Sequence, residues 1–517
     1  MLLRSITFLL GIVSLASSMM PGESSRKTMR RNNSWKKRSN ILEAEALEVK
    51  KRALVITTNR DSMYFKMNSA FAYVLGDIFN VHFLILNTTN ENEGKIKEGI
   101  DKAFIQYDEK IPIKNSLPNT YRIVKISNKF DENSALSVSQ NKFHHREYKN
   151  NYKTIKNEAF TPFKFLLEDT EYIILIESLN KAEFNVAFFD TWETGALFIS
   201  LVLSIKNIFG INNTHLNSYQ YKYAGKKFPE NAPEIYSANF DDHHLALRKK
   251  HQELKNYIES LKLFKTVHKE MDEFFGARTS SLYKKIKGIF INSHELIDFP
   301  LGESKPENVY YVGGIHLNRL KRKLESNEQR SNVIMNIENC HELFSNDNTE
   351  ILDAFIYAFY EVGLEIKNFN LKFKYNCKID EDIIYNYTQE RQGILNNIEF
   401  IQIHDMENEL AKGTTALLIM NCSSHQVIEA IASNTLFLCV PYKDDQFYIS
   451  EALQIPPRYK IENSKGKDTT SNNDECVIDI DNFEQLAPYL SLNDIANGNI
   501  TSEYIADLLL ALLKNDR

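Results

Sequence analysis

Apolar residues along this 517-residue chain come in short runs separated by longer amphipathic stretches, and the alternation occurs twice. After Arg52, the β-branched run ALVITT predicts a first strand. A helical pattern follows over residues 65–79, then a second strand over 81–86. Strand, helix, strand at this spacing begins a parallel α/β lobe. The Lys- and Asn-rich region 90–157 reads as long polar loops, order resumes at 172–176, and 186–189 predicts a strand that ends in Asp190. A charged helical stretch lies within 242–292, with apolar residues three and four apart. The pattern then restarts with a strand at 333–337, a helix at 350–362 and a strand at 371–375. Its last unit is a strand at 417–420, a helix at 427–431 and a strand at 436–440. Two Rossmann-like lobes are the expectation, with ligands bound by the loops that follow the strands.

The ends of the chain read differently. Arg4, the apolar run 6–15 and the small residues Ala16, Ser17 and Ser18 follow the order of a secretory signal peptide, placed at 1–19. That run is shorter than the roughly 20 apolar residues of a membrane-spanning helix. Apart from it, no transmembrane segment is expected, and the implied location is the secretory pathway, either the endoplasmic reticulum lumen or outside the cell. Residues 20–50 are basic and poor in apolar side chains, which predicts a disordered arm. Residues 51–307 form the first predicted lobe, 308–490 the second, and 491–517 a terminal amphipathic helix with an apolar surface at 505–513.

A net charge of -6 gives no electrostatic case for nucleic acid. Asn-X-Ser/Thr glycan acceptors stand at Asn32, Asn87, Asn212, Asn386, Asn421 and Asn499. The five cysteines, Cys340, Cys377, Cys422, Cys439 and Cys476, have no metal-binding spacing and allow at most two disulfides. The histidine pairs His144/His145 and His243/His244, and His251, lack ligand partners at metal spacing, so no metal site is expected. Glycine is scarce, 18 residues in all, which matters because loops that cradle phosphates need close backbone approach.

Two segments carry a family resemblance. In LLIMNCSSHQVIEAIASNTLFLCVPYKDDQ, residues 417–446, Glu429 lies within the helix and the pair Asp445 and Gln446 follows the second strand. In GIFINSHELIDFPLGESKPENVYYVGGIHL, residues 288–317, a strand ends in Asn292 and Ser293, a turn holds Asp298, Phe299 and Pro300, and a second strand leads to Gly313 and Gly314. Together they resemble the UDP-glycosyltransferases, the glucuronosyl- and glucosyltransferases of animals and some of their viruses. The resemblance implies a GT-B fold with two Rossmann-like lobes facing across a cleft. It implies a UDP-sugar as donor substrate rather than a cofactor, and a small lipophilic acceptor. Glu429 matches the ribose-binding carboxylate, and Asp445 and Gln446 match the pair that holds donor-sugar hydroxyls.

The departures from the family are chemical. Its His-Gly-Gly turn falls on Asn421, Cys422 and Ser423, and its Ser-Phe-Gly-Ser turn falls on Asn336, Ile337, Glu338 and Asn339. A carboxylate at 338 opposes a diphosphate. The uracil-stacking Trp has no counterpart in 400–411, where Phe400 or His404 are the substitutes, and Trp35 and Trp192 lie elsewhere. The catalytic His falls on Met63, which has no titratable proton, while its orienting partner falls on Asp190. Asp61 is an alternative base, but it needs burial to raise it from a carboxylate's usual range near ~3.9. Three readings remain open: a transferase with altered catalytic residues, a catalytically inactive GT-B scaffold that binds a lipophile, a sugar nucleotide or a protein partner, and a GT-B hydrolase or epimerase.

Overall fold

The structure, a computed structural model, describes residues 50–59, 62–88, 96, 120–125, 156–157, 159–229, 232, 250–299, 301–315, 317, 330, 332–337, 349–365, 370–375, 398–402, 406–441, 444–454 and 501–515. The signal peptide, the basic arm, Asp61, Glu338, Asn339, His404 and the acceptors Asn32, Asn386 and Asn499 lie outside them, as do the side chains of Met63, Phe400 and Asp445.

The first lobe is a seven-stranded parallel sheet in the order β3-β2-β1-β4-β5-β6-β7. Its strands are β1 (Arg52–Thr58), β2 (Asn80–Asn87), β3 (Thr120–Lys125), β4 (Val186–Asp190), β5 (Asn207–Asn212), β6 (Ile286–Ile291) and β7 (Val309–Tyr311). The second lobe is a five-stranded parallel sheet in the order β10-β9-β8-β11-β12. It comprises β8 (Asn332–Asn336), β9 (Asn370–Tyr375), β10 (Ile398–Gln402), β11 (Thr415–Met420) and β12 (Leu436–Cys439). Both orders reverse direction at the first strand, between β1 and β4 and between β8 and β11, which is the doubly wound pattern with its ligand crevice at the reversal. This is the α/β, two-lobed arrangement that the alternating pattern predicts.

Parallel strands covered on both faces must be apolar throughout, which explains the unbroken runs in the sequence. Along β1, Ala53 and Val55 enter the core on one face with Phe71, Phe188, Phe209 and Phe290. Leu54 and Ile56 enter the other with Phe163, Phe189 and Phe264. The first face is covered by α1 (Ser62–Leu75). The second is covered by α2 (Ala196–Val202), α3 (Ser218–Tyr223) and α4 (Lys250–Phe275). β3 lies in the region that reads as long loops, because TYRIVK alternates charge with apolar residues at a sheet edge and lacks a continuous run.

In the second lobe, α5 (Thr349–Glu365) packs against the terminal α8 (Ser502–Asn515), which buries Ile505, Ala506, Leu509 and Leu510. Within the apolar stripe read at 505–513, these four residues form an internal packing face. The helices α6 (Ser424–Ala432) and α7 (Asp444–Leu453) flank β12. Among the described residues, no helix is long and apolar enough to cross a membrane.

One buried histidine gives the first lobe a pH dependence. His268 on α4 is buried, with its Nδ1 2.7 Å from the Tyr223 hydroxyl, and burial pulls its pKa down to about 3. The unfolded chain binds this proton more readily, so the stabilisation is complete above ~6.5 and is lost as pH falls towards about 3. At pH 5 the expected loss is about 2 kcal/mol. Denaturant titrations at pH 7.5 and 5 should show it, and His268→Asn, which does not titrate, should flatten the difference.

Candidate functional site

Each lobe places its candidate residues at its own crossover. In the first lobe, Asp190 is the last residue of β4, beside the end of β1, and is only 2% exposed. Its Oδ1 accepts the Trp192 backbone N–H at 3.0 Å. Its Oδ2 accepts the side-chain amides of Asn68 at 3.1 Å and Asn213 at 3.0 Å. Asn68 also donates to Thr57 Oγ1 at 2.9 Å and accepts from Asn213 Nδ2 at 2.9 Å. Next to this cluster, Glu193 Oε1 accepts the Thr58 N–H at 2.8 Å, tying the end of β1 to the loop after β4. Met63 lies in the first turn of α1, the helix that carries Asn68. This helix presents the Asn68 amide to Asp190. Asp190 is held as a strand-end anchor by three N–H donors.

In the second lobe, β11 ends at Met420, next to the end of β8 at Asn336. Asn421 is fully buried and its amide donates to the Val440 carbonyl at 3.0 Å, while Val440 N–H donates to Met420 O at 2.7 Å. Cys422 follows with φ of 60° and is joined by a disulfide to Cys439 at the end of β12. That backbone region favours glycine. The turn thus keeps the left-handed conformation of a glycine and fixes it by a cross-link. Cys422 and Cys439 are one of the at most two pairs that the five cysteines allow.

Ser423 then caps α6. Its N–H donates to Gln426 Oε1 at 3.2 Å, and its hydroxyl lies 3.1 Å from His425 Nδ1. The buried Ser424 hydroxyl beside it makes no hydrogen bond among the described residues. A helix N-terminus with hydroxyls beside it is an anion-receiving end. Glu429 is buried further along α6, and Gln446 is buried in the first turn of α7, which packs against α6. No metal-binding group of three or more His, Cys, Asp or Glu is found among the described residues.

Three of the sequence-level glycan acceptors are closed off. Asn87, Asn212 and Asn421 are each 0% exposed. Peptide mass mapping of the folded protein should therefore find no glycan on any of the three.

The lobes meet at the glycine turn that ends the segment 288–317. Gly313 N–H donates to Ser293 O at 2.9 Å, and a Cβ on Gly313 would lie 2.6 Å from that same oxygen. Gly314, with φ of 82°, sets its backbone against Ile428 of α6. The two glycines make the interlobe turn and press it onto the helix of the anion-receiving end. Alongside, Asp298 is buried between His215 from the first lobe and Tyr448 of α7 from the second.

Sequence reasoning missed His425, Ser424, His215 and Tyr448. Ser424 and His425 lie within the segment 417–446 but match none of the family positions read there, while His215 and Tyr448 stand outside any motif and are brought together only by the fold. Asp298 was visible, but as a turn residue.

No protein-family model matches the chain, and no curated protein does. Among solved structures, the chain is similar to the glycosyltransferase of kitacinnamycin, with 8% identity, a TM-score of 0.48 and coverage of 90% of this chain and 95% of that one. It is similar to the calicheamicin glycosyltransferase CalG4, with 10% identity, a TM-score of 0.48 and coverage of 90% and 92%. It is also similar to UGT2 of Phytolacca americana, solved with UDP-2-fluoroglucose and pterostilbene, with 12% identity, a TM-score of 0.46 and coverage of 90% and 94%.

Proposed function

We propose that this chain is a divergent UDP-glycosyltransferase-family protein that binds a UDP-sugar in its second lobe and transfers the hexosyl group to a small lipophilic acceptor. The observation that carries the proposal is the turn 421–424 at the β8/β11 crossover. It offers the α6 N-terminus and the unpartnered Ser424 hydroxyl where a diphosphate would sit. Within this reading, Asn421 and Ser423 shape the diphosphate turn, Glu429 binds ribose, and Asp445 and Gln446 bind the donor sugar. The acceptor oxygen bonds to the sugar's anomeric carbon as the bond from that carbon to UDP breaks. The acceptor proton passes to a carboxylate, Asp61 or Asp190, and UDP leaves. The compartment proposed is the secretory pathway, consistent with a disulfide in the donor turn.

A second reading, a catalytically inactive scaffold that binds the sugar nucleotide or a lipophile, is favoured by Asp190. Its carboxylate already serves Asn68, Asn213 and Trp192, and Met63 supplies no base. Calorimetry with UDP and UDP-hexoses tests the shared step, and UDP release with phenolic, steroid and lipid acceptors separates the readings. Donor binding with turnover supports the transferase, donor binding without turnover supports the scaffold, and no binding of either nucleotide ends the transferase and the nucleotide-binding form of the scaffold.

A further inference from the structure

Asp298 is the most heavily engaged carboxylate between the lobes. Its Oδ1 accepts the Tyr448 hydroxyl at 2.8 Å and the Phe299 N–H at 2.8 Å, and its Oδ2 accepts the Tyr311 hydroxyl at 2.5 Å. His215 Nδ1 lies 3.0 Å from Oδ1, without the geometry of a hydrogen bond. The His215 ring packs on the Tyr448 ring with centroids 4.2 Å apart, and Phe299 meets the other side of Tyr448 at 4.8 Å. His215, Asp298 and Tyr448 are each at most 4% exposed.

These groups come from separate parts of the chain. His215 follows β5, Tyr311 ends β7, Asp298 lies in the turn between β6 and β7, and Tyr448 lies on α7 of the second lobe. One carboxylate therefore fixes α7 to two strand ends of the first lobe. Tyr448 sits two residues after Gln446 in the same helix, whose backbone geometry fixes the one relative to the other. Wherever the Tyr448 hydroxyl is held, Gln446 is held too.

We propose that Asp298, Tyr448 and His215 form a buried interlobe latch whose job is to position α7, and through it Gln446, for the sugar of the donor. The inference rests on the donor-binding reading above and adds positioning residues to it. The latch acts on the sugar end of the donor and not on the diphosphate end, because α6 and its turn are fixed separately by the disulfide and by Asn421.

The test is calorimetry with UDP and with UDP-hexoses on the full chain, its Tyr448→Phe variant and its Asp298→Asn variant. Tyr448→Phe keeps the ring stacking and removes only the hydroxyl. Loss of one hydrogen bond to a charged group should weaken UDP-hexose binding about tenfold and leave UDP binding within about twofold. Hydrogen exchange should rise across 444–453 and stay unchanged across 424–432. A merely structural role would lower stability without changing the ratio of UDP-hexose to UDP affinity. That ratio, unchanged in both variants, overturns the latch while leaving the donor reading standing. A native chain that binds neither nucleotide overturns the donor reading and the latch's function with it.

Discussion

Replacing Asp190 with Ala is expected to lower the stability of the first lobe by about 4 kcal/mol, a large fraction of what a domain has to lose. The mutation strands three donors at once: Asn68 Nδ2, Asn213 Nδ2 and the Trp192 N–H. Each buried donor left unpaired costs roughly 1–3 kcal/mol, and water has little access because Asn68 and Asn213 are at most 2% exposed. Asp190→Asn should cost less, since its amide oxygen can take the Oδ2 place and its nitrogen then faces only the Trp192 N–H. The decisive variant pairs Asp190→Asn with Asn68→Asp, which moves the carboxylate across the hydrogen bond. Urea titrations monitored by Trp192 fluorescence should show the pair recovering part of the loss, because residues in one network do not contribute additively. If Asp190→Ala unfolds at the native midpoint, the carboxylate is not the anchor of the β1/β4 crossover.

The same residue shows how far the sequence could be read. Asp190 could be placed at a strand end because VAFFD is an apolar run that closes on a charge, and the fold follows that reading. Its partners could not be found that way. Asn68 sits within a helix and Asn213 in a loop after a strand that gave no signal of its own, and only the parallel order β1-β4-β5 brings them to one carboxylate. The strands β8, β11 and β12 were legible for the same reason as β4, since burial on both faces leaves a short run of apolar residues. β3 was not, because an edge strand alternates and carries charge. The seam at Asp298 is the extreme case. His215, Tyr311 and Tyr448 lie 83, 13 and 150 positions from it in sequence, and no local pattern encodes contacts of that span.

Breaking the cross-link in the donor turn should have the other large effect, about 3 kcal/mol on the second lobe, because the disulfide closes a loop of 17 residues. The turn adds a second cost that identifies what the cross-link is for. Cys422 holds φ at 60°, a conformation that disfavours any residue with a Cβ by about 1–2 kcal/mol. Two double variants separate the terms: Cys422→Ala with Cys439→Val, and Cys422→Gly with Cys439→Val. Both lose the cross-link, but the glycine form regains the backbone freedom and should be the more stable of the two by about 1 kcal/mol. The glycine form also tests the donor reading, because a glycine and a cross-linked cysteine are alternative ways to hold the same left-handed turn at the start of α6. UDP binding should therefore survive in the Gly/Val variant and fall in the Ala/Val variant, measured by calorimetry under identical conditions. Equal stability and equal UDP affinity in the two would show that the backbone at position 422 sets neither the fold of the turn nor the anion-receiving end that follows it.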